Sequence, residues 1–332
     1  MFLWNCTIAL NLDLENRDHQ RLFVLISVAI ATMAFLLNLI HFLAIIQQSL
    51  LKQAKNIIIM SFCICGQLSS VVVAWYVYRI TAAENSEILS DYNICYFVPS
   101  GFLLVTLFTS TSLITLQVLQ LHFEISCKSK TEQRCRAIIL AMVVMAWFEG
   151  VVVSVIPIVG WNNWQGYCTI PHIWSNAYSM TLCLLYYFHL SIIIALLFNV
   201  ICANCKKRNS VLPECNEIAT ITDQPLVIPF VTSQAVKLKN VLASFTLYVF
   251  GTLPIISYMS YIVLGEKTHQ CHMLILSTNY EVGSILLIVL SAAISPLFYI
   301  FTEDDLAAAT AQFIHIFFCP CTKKKEISRV CG

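Results

Sequence analysis

The chain has 332 residues, 58% of them hydrophobic and 11% charged, with a mean hydropathy of +0.77. A soluble domain carries about 25% charged and 45–50% apolar residues, so this composition excludes a cytosolic enzyme and a disordered scaffold. Lys and Arg number 19 against 18 Asp and Glu. That leaves no cationic surplus for phosphates and excludes a nucleic-acid binder. The apolar runs are continuous rather than alternating, which argues against a transmembrane β-barrel.

Met1–Leu10 has no basic leader and precedes the polar stretch Asp13–Arg21, so it does not read as a secretory signal. Asn5-Cys6-Thr7 is a glycosylation acceptor at Asn5. Seven apolar runs follow: Leu22–Ile46, Asn56–Tyr78, Tyr96–Phe123, Ala137–Val159, Ala177–Ala203, Val241–Leu264 and Val282–Phe301. Each is long enough to cross about 30 Å of hydrocarbon as a helix. The predicted fold is an all-α membrane protein, a seven-transmembrane helix bundle. Its longest connector, Asn204–Lys239, holds Pro213, Pro225 and Pro229 and reads as a mobile loop. After the last run come a short amphipathic segment, Asp304–Phe318, and then Cys319-Pro320-Cys321 ahead of Lys323–Lys325. Cys319 and Cys321 beside this cationic patch fit palmitoylation, with unmodified thiols as the alternative. There is no internal repeat. The expected organisation is an extracellular N-terminus (1–21), a membrane domain (22–302) and a cytoplasmic helix and tail (303–332).

Orientation follows from the cationic residues. With the N-terminus outside, the inner segments hold Lys52, Lys55, Lys128, Lys130, Arg134, Arg136, Lys206, Lys207, Arg208, Lys237, Lys239, Lys323, Lys324, Lys325 and Arg329, against Arg17, Arg21, Arg79 and Lys267 outside. This bias places the C-terminus in the cytosol. Cys6, Cys95, Cys168 and Cys271 then face the oxidising side. A Cys95–Cys168 bridge is expected, a Cys6–Cys271 bridge stays open, and connectivity cannot be deduced from sequence.

Several landmarks fall at particular spans. Span one holds Asn38, and span four holds Trp147 with Pro157 ten residues on. Span six holds Pro254, and span seven ends Ser295-Pro296-Leu297-Phe298-Tyr299. In order and spacing the chain resembles the rhodopsin-like class of G protein-coupled receptors, from Leu22 to Cys321. Pro157–Asn163 is also similar to adenosine and lysolipid receptors. Taken singly, the prolines are equally plain helix kinks. The resemblance implies a plasma-membrane receptor that moves the inner end of span six to admit a heterotrimeric G protein, with arrestin as the alternative partner. Membrane lipids surround it, no cofactor is implied, and the ligand is unspecified.

The departures from that pattern fall on its switches. Where the class has Asp-Arg-Tyr at the inner end of span three, this chain has Leu119-Gln120-Leu121, so no ionic lock is expected at Gln120. Glu124 nearby has no evident role. Gly66 stands where an Asp is usual, and Ser295 replaces the Asn before Pro296. Thr109 would be the span-three partner of the sodium site found in relatives. Without the carboxylate no such site is expected here. The usual Trp of span six is Thr252. Pro254, Pro296 and Tyr299 survive. These departures raise the alternative of a decoy or accessory receptor that does not couple.

The ligand pocket mapped from the resemblance comprises Phe102, Leu103, Thr106, Thr181, Ile255, Ile256, Met259, Ile285 and Val289. Its wall is almost wholly apolar, so a neutral, lipophilic ligand is expected, against the alternative that side chains fill the space. Glu149 is the one carboxylate deep in a predicted span, and a structural role is favoured over a functional one. His122 and His189 read as satisfied core or interfacial residues. No nucleophile–base pair, phosphate loop or metal cluster stands out, and no enzymatic activity is expected.

Overall fold

In hydrocarbon no water satisfies backbone N–H and C=O groups, so an apolar run closes its hydrogen bonds within a helix. The computed structural model describes residues 17–81, 96–126, 132–162, 173–218, 228–264 and 271–318, and these are helical almost throughout. The helices are α1 (Arg17–Gln47), α2 (Ala54–Thr81), α3 (Phe102–Ser126) and α4 (Glu132–Val155). They continue as α5 (Asn176–Ile218), α6 (Ile228–Leu264), α7 (Cys271–Thr302) and α8 (Asp304–Phe318). Among the described residues, six helices are long and apolar enough to cross a membrane. A further candidate joins Gly283–Tyr299 to Asp304–His315 across a 99° bend. The molecule is thus an all-α, multi-pass membrane protein.

The helices pack as one bundle. α1 lies against α2 and α7, α5 against α6, and α6 against α7, while α3 touches α2, α4, α5 and α6. Fully buried Leu104, Phe108, Val118, Tyr186, Ile255 and Val289 join the main apolar core around it. Two smaller clusters flank that core, one around Ile58 and Leu113 with Trp147 packed on it, the other around Ile45, Tyr299 and Leu306. Outward-facing Phe148, Met145, Leu184 and Phe198 are each more than 60% exposed or at 60%, as expected of side chains that meet lipid rather than water.

Local chemistry explains the turns. Asn56 on α2 donates its side-chain amide to Leu50 O at 3.0 Å, closing the α1–α2 corner. α4 ends in a tight turn, Ile156–Val159, which contains buried Pro157. The turn closes on Gly160 at φ 130°, where a side chain would be strained. Asn162 donates to Pro157 O at 2.8 Å and holds this corner. Asp304 and Asp305 open α8, where carboxylates complement the positive end of the helix dipole.

The helices outrun the apolar runs in three places. α5 continues to Ile218 and α6 starts at Ile228, so most of the connector expected as a mobile loop is helical. Pro229 is compatible with this because it occupies the first turn of α6, where its missing N–H has no helical acceptor to serve. With 43 residues, α5 is about 65 Å long at 1.5 Å per residue and projects well beyond the hydrocarbon. α7 begins at Cys271 rather than near Val282. Hydropathy registers bilayer thickness, whereas a helix continues through polar residues of adequate propensity.

Candidate functional site

α6 carries polar residues at Lys237, Asn240, Ser244, Tyr248 and Thr252, a three- and four-residue spacing that places them on one helical face. Each is bonded to another element. Lys237 Nζ lies 2.7 Å from Glu124 Oε2 on α3, and Gln120 Nε2 donates to Glu124 Oε1 at 3.0 Å. Asn240 Nδ2 donates to Glu303 Oε1 at 3.3 Å, at the α7–α8 corner. Lys55 of α2 holds the other oxygen of Glu303 at 2.6 Å. Ser244 Oγ is 3.1 Å from the Tyr299 hydroxyl of α7, which also accepts a 2.8 Å bond from Gln117 Nε2 of α3. Tyr248 shares a hydrogen bond with Thr111 of α3. Thr252 lies 2.8 Å from the Tyr186 hydroxyl of α5. The face ends at Pro254, which lacks an N–H for the carbonyl four residues before it and so weakens the helix there.

This seam answers several expectations about the switch residues. Gln120 is uncharged, yet an α3–α6 ion pair exists one turn further along, at Glu124. Leu121 is buried in the main core and Leu119 is half-buried, so neither presents a polar group. Thr252, in the place of an expected indole, is a hydrogen-bonding member of the seam. Ser295 donates to Ser291 O at 2.9 Å. Thr109, at the position that partners the ion site in relatives, turns towards α4 and donates to Ala146 O at 3.4 Å.

Beside the seam lies a cavity of about 60 Å³ bounded by α2, α3, α6 and α7. Ser69, Thr106, Ser110, Ser291 and Ser295 contribute to its wall, together with Gly66 and the seam residues Ser244, Tyr248, Thr252 and Tyr299. Its polar groups are hydroxyls and a thiol, and the volume accommodates several waters. Gly66 is glycine for a steric reason: a Cβ there would collide with the amide of Asn38. Asn38 in turn donates to Ala34 O at 2.8 Å and to Ala292 O at 3.0 Å. Ala292 is four residues before Pro296, so its carbonyl is the one that proline deprives of a helical donor. The two landmark residues therefore form one unit.

Most of the nine residues expected to line a ligand pocket are buried, and Thr106 among them lines the cavity beside the seam. Leu103, Thr106, Ile255, Ile256, Met259, Ile285 and Val289 are all buried, and Phe102 packs on the same core. Thr181 does not join them. It is exposed and bonds back to Ala177 O at 2.9 Å. The end of the bundle where α7 begins also holds a group that hydropathy hid. Glu281 of α7 is fully buried, and Tyr76 of α2 donates to it at 2.5 Å. Glu281 lies one residue before the predicted seventh span, so Glu149 stays the carboxylate deep within a predicted span, and His189 meets it as an interfacial residue. Glu149 Oε1 lies 3.3 Å from His189 Nε2, and Ser112 donates to Oε2 at 2.6 Å.

Cys63, Cys65, Cys183, Cys202 and Cys205 are free thiols. Asn5, Cys6, Cys95, Cys168, Cys319 and Cys321 lie outside the described residues. Cys271 lies within α7. Comparison with known protein-family models and with curated proteins finds no match.

Proposed function

We propose that the chain is a receptor of the rhodopsin-like G protein-coupled type, with seven membrane spans, an extracellular N-terminus and a plasma-membrane location. α7 is the seventh span, and amphipathic α8 lies along the inner surface. The observation that carries this reading is the polar face of α6, bonded along its length to α3, α7 and α5 and ending at Pro254. A helix held by discrete contacts below a weakened turn has two arrangements available, and a ligand that favours one shifts the balance. The resting arrangement keeps the inner end of α6 against Glu124, Glu303 and Tyr299. Release opens a cleft for a heterotrimeric G protein, or for arrestin, beside Gln120.

The ligand acts from the outer side, where Ile255, Met259 and Ile285 are buried in the main apolar core. The test is second-messenger output from Lys237→Glu, Glu124→Lys and the double exchange. Higher basal output in both single variants and its suppression in the double variant support coupling. Equal silence in all four proteins favours the second reading, a non-coupling decoy or accessory receptor. That reading rests on Gln120, an uncharged residue where a partner-contacting arginine is expected.

A further inference from the structure

We propose that Glu149, His189 and Ser112 form a lipid-facing site that binds an acyl chain carrying a hydrogen-bond donor part-way along its length, such as a mid-chain hydroxyl. The three residues come from α4, α5 and α3 and meet through the carboxyl of Glu149, with Ser112 Oγ at 2.6 Å and His189 Nε2 at 3.3 Å. They sit near the middle of their candidate spans. Within the candidate spans Phe102–Ile125, Arg136–Val159 and Asn176–Cys205, each lies about 15–24 Å from either end at 1.5 Å per residue.

The site is open to the outside of the bundle: the Glu149 side chain is 29% exposed and that of His189 18%. Each carboxyl oxygen offers two lone pairs, and one protein contact to each leaves acceptor capacity on the carboxyl. Hydrocarbon supplies no donor, and an acceptor left bare there is costly. An ionisable group in such a place marks function by default. The imidazole lies edge-on to Phe108 with ring centroids 6.4 Å apart and tilted against Phe188 at 6.3 Å.

The rim identifies the occupant. Met145 and Val152, four before and three after Glu149 on the same face of α4, are 62% and 42% exposed. Phe148 and Phe188 are each 61% exposed. Helices that associate in membranes do so over small residues, and this rim is bulky. Flexible and aromatic apolar side chains suit a single acyl chain. Its donor must lie near the bilayer centre, which excludes headgroups and points to substitution within the chain. The site requires α4 and α5 to lie in the bilayer and is independent of any signalling role.

The test uses the full chain in nanodiscs containing equal amounts of palmitoyl-stearoyl and palmitoyl-(12-hydroxystearoyl) phosphatidylcholine. The lipid that stays bound after extraction in mild detergent is quantified by mass spectrometry. Wild type is expected to retain the hydroxylated lipid about three- to tenfold over the plain one, the yield of one net hydrogen bond. Glu149→Leu is expected to retain both equally, and Glu149→Gln, which keeps an acceptor oxygen, to remain intermediate. Elution volume and unfolding midpoint without hydroxylated lipid check that the variants fold. A bulk lipid ratio on the wild type overturns the proposal, as does undiminished enrichment on a folded Glu149→Leu protein. A wild-type dimer that Glu149→Leu converts to monomer, with no lipid preference, also overturns it and assigns the face to a second copy.

Discussion

Asn38→Ala isolates a single hydrogen bond with a calculable consequence. The Asn38 amide is 2% exposed and donates to Ala34 O and Ala292 O. Ala34 O loses little, because the backbone N–H of residue 38 still reaches it within α1. Ala292 O has no such reserve, since residue 296 is proline. Leaving that buried carbonyl bare costs about 1–3 kcal/mol. In a Pro296→Ala background the restored N–H satisfies Ala292 O within α7, so the same Asn38→Ala change should cost under about 1 kcal/mol there. The double-mutant coupling is then about 1–2 kcal/mol. Unfolding in mixed detergent micelles, followed by labelling of the buried thiols Cys63, Cys65 and Cys183, measures all four proteins. Equal losses in the two backgrounds would refute the assignment of Asn38 to the proline-orphaned carbonyl.

Three further outcomes follow from the same geometry. Gly66→Ala lowers the unfolding midpoint because its Cβ meets the Asn38 amide. Adding Asn38→Ala recovers part of that loss, whereas additive losses count against the contact. Tyr299→Phe removes the hydroxyl that joins Gln117 to Ser244 and costs about 1–2 kcal/mol in the same unfolding assay; an unchanged midpoint contradicts the seam. Lys55→Met strips Glu303 of its 2.6 Å partner. Hydrogen exchange should then quicken in the first turns of α8 while α3 is unaffected, and unchanged exchange in α8 argues that the corner is held otherwise.

Most of the fold is legible in the sequence because a bilayer imposes its thickness on every apolar run. The helix ends are not, since the forces that stop a helix outside the bilayer are caps and propensities rather than hydropathy. Hence α5 and α6 extend into the connector, and α7 reaches back past Glu281. The seam was partly legible: Lys237, Asn240, Ser244, Tyr248 and Thr252 recur at helical spacing in an otherwise apolar stretch. Their partners were not, because nothing local links position 124 to 237 or 240 to 303. The resemblance supplied Asn38 and Pro296 as separate landmarks, and only packing shows that one repairs the backbone defect of the other. Glu281 is not legible as a buried carboxylate because it sits just before the apolar run Val282–Phe301.

The central claim is that the polar face of α6 holds its N-terminal half against α3 and α7. Spin labels introduced as non-natural residues at exposed Phe123 on α3 and Val236 on α6 report that separation by pulsed electron resonance. The native chain should give one short, narrow distance distribution, and Lys237→Ala with Tyr299→Phe should shift a substantial share to longer distances. An identical distribution in both proteins would contradict the claim.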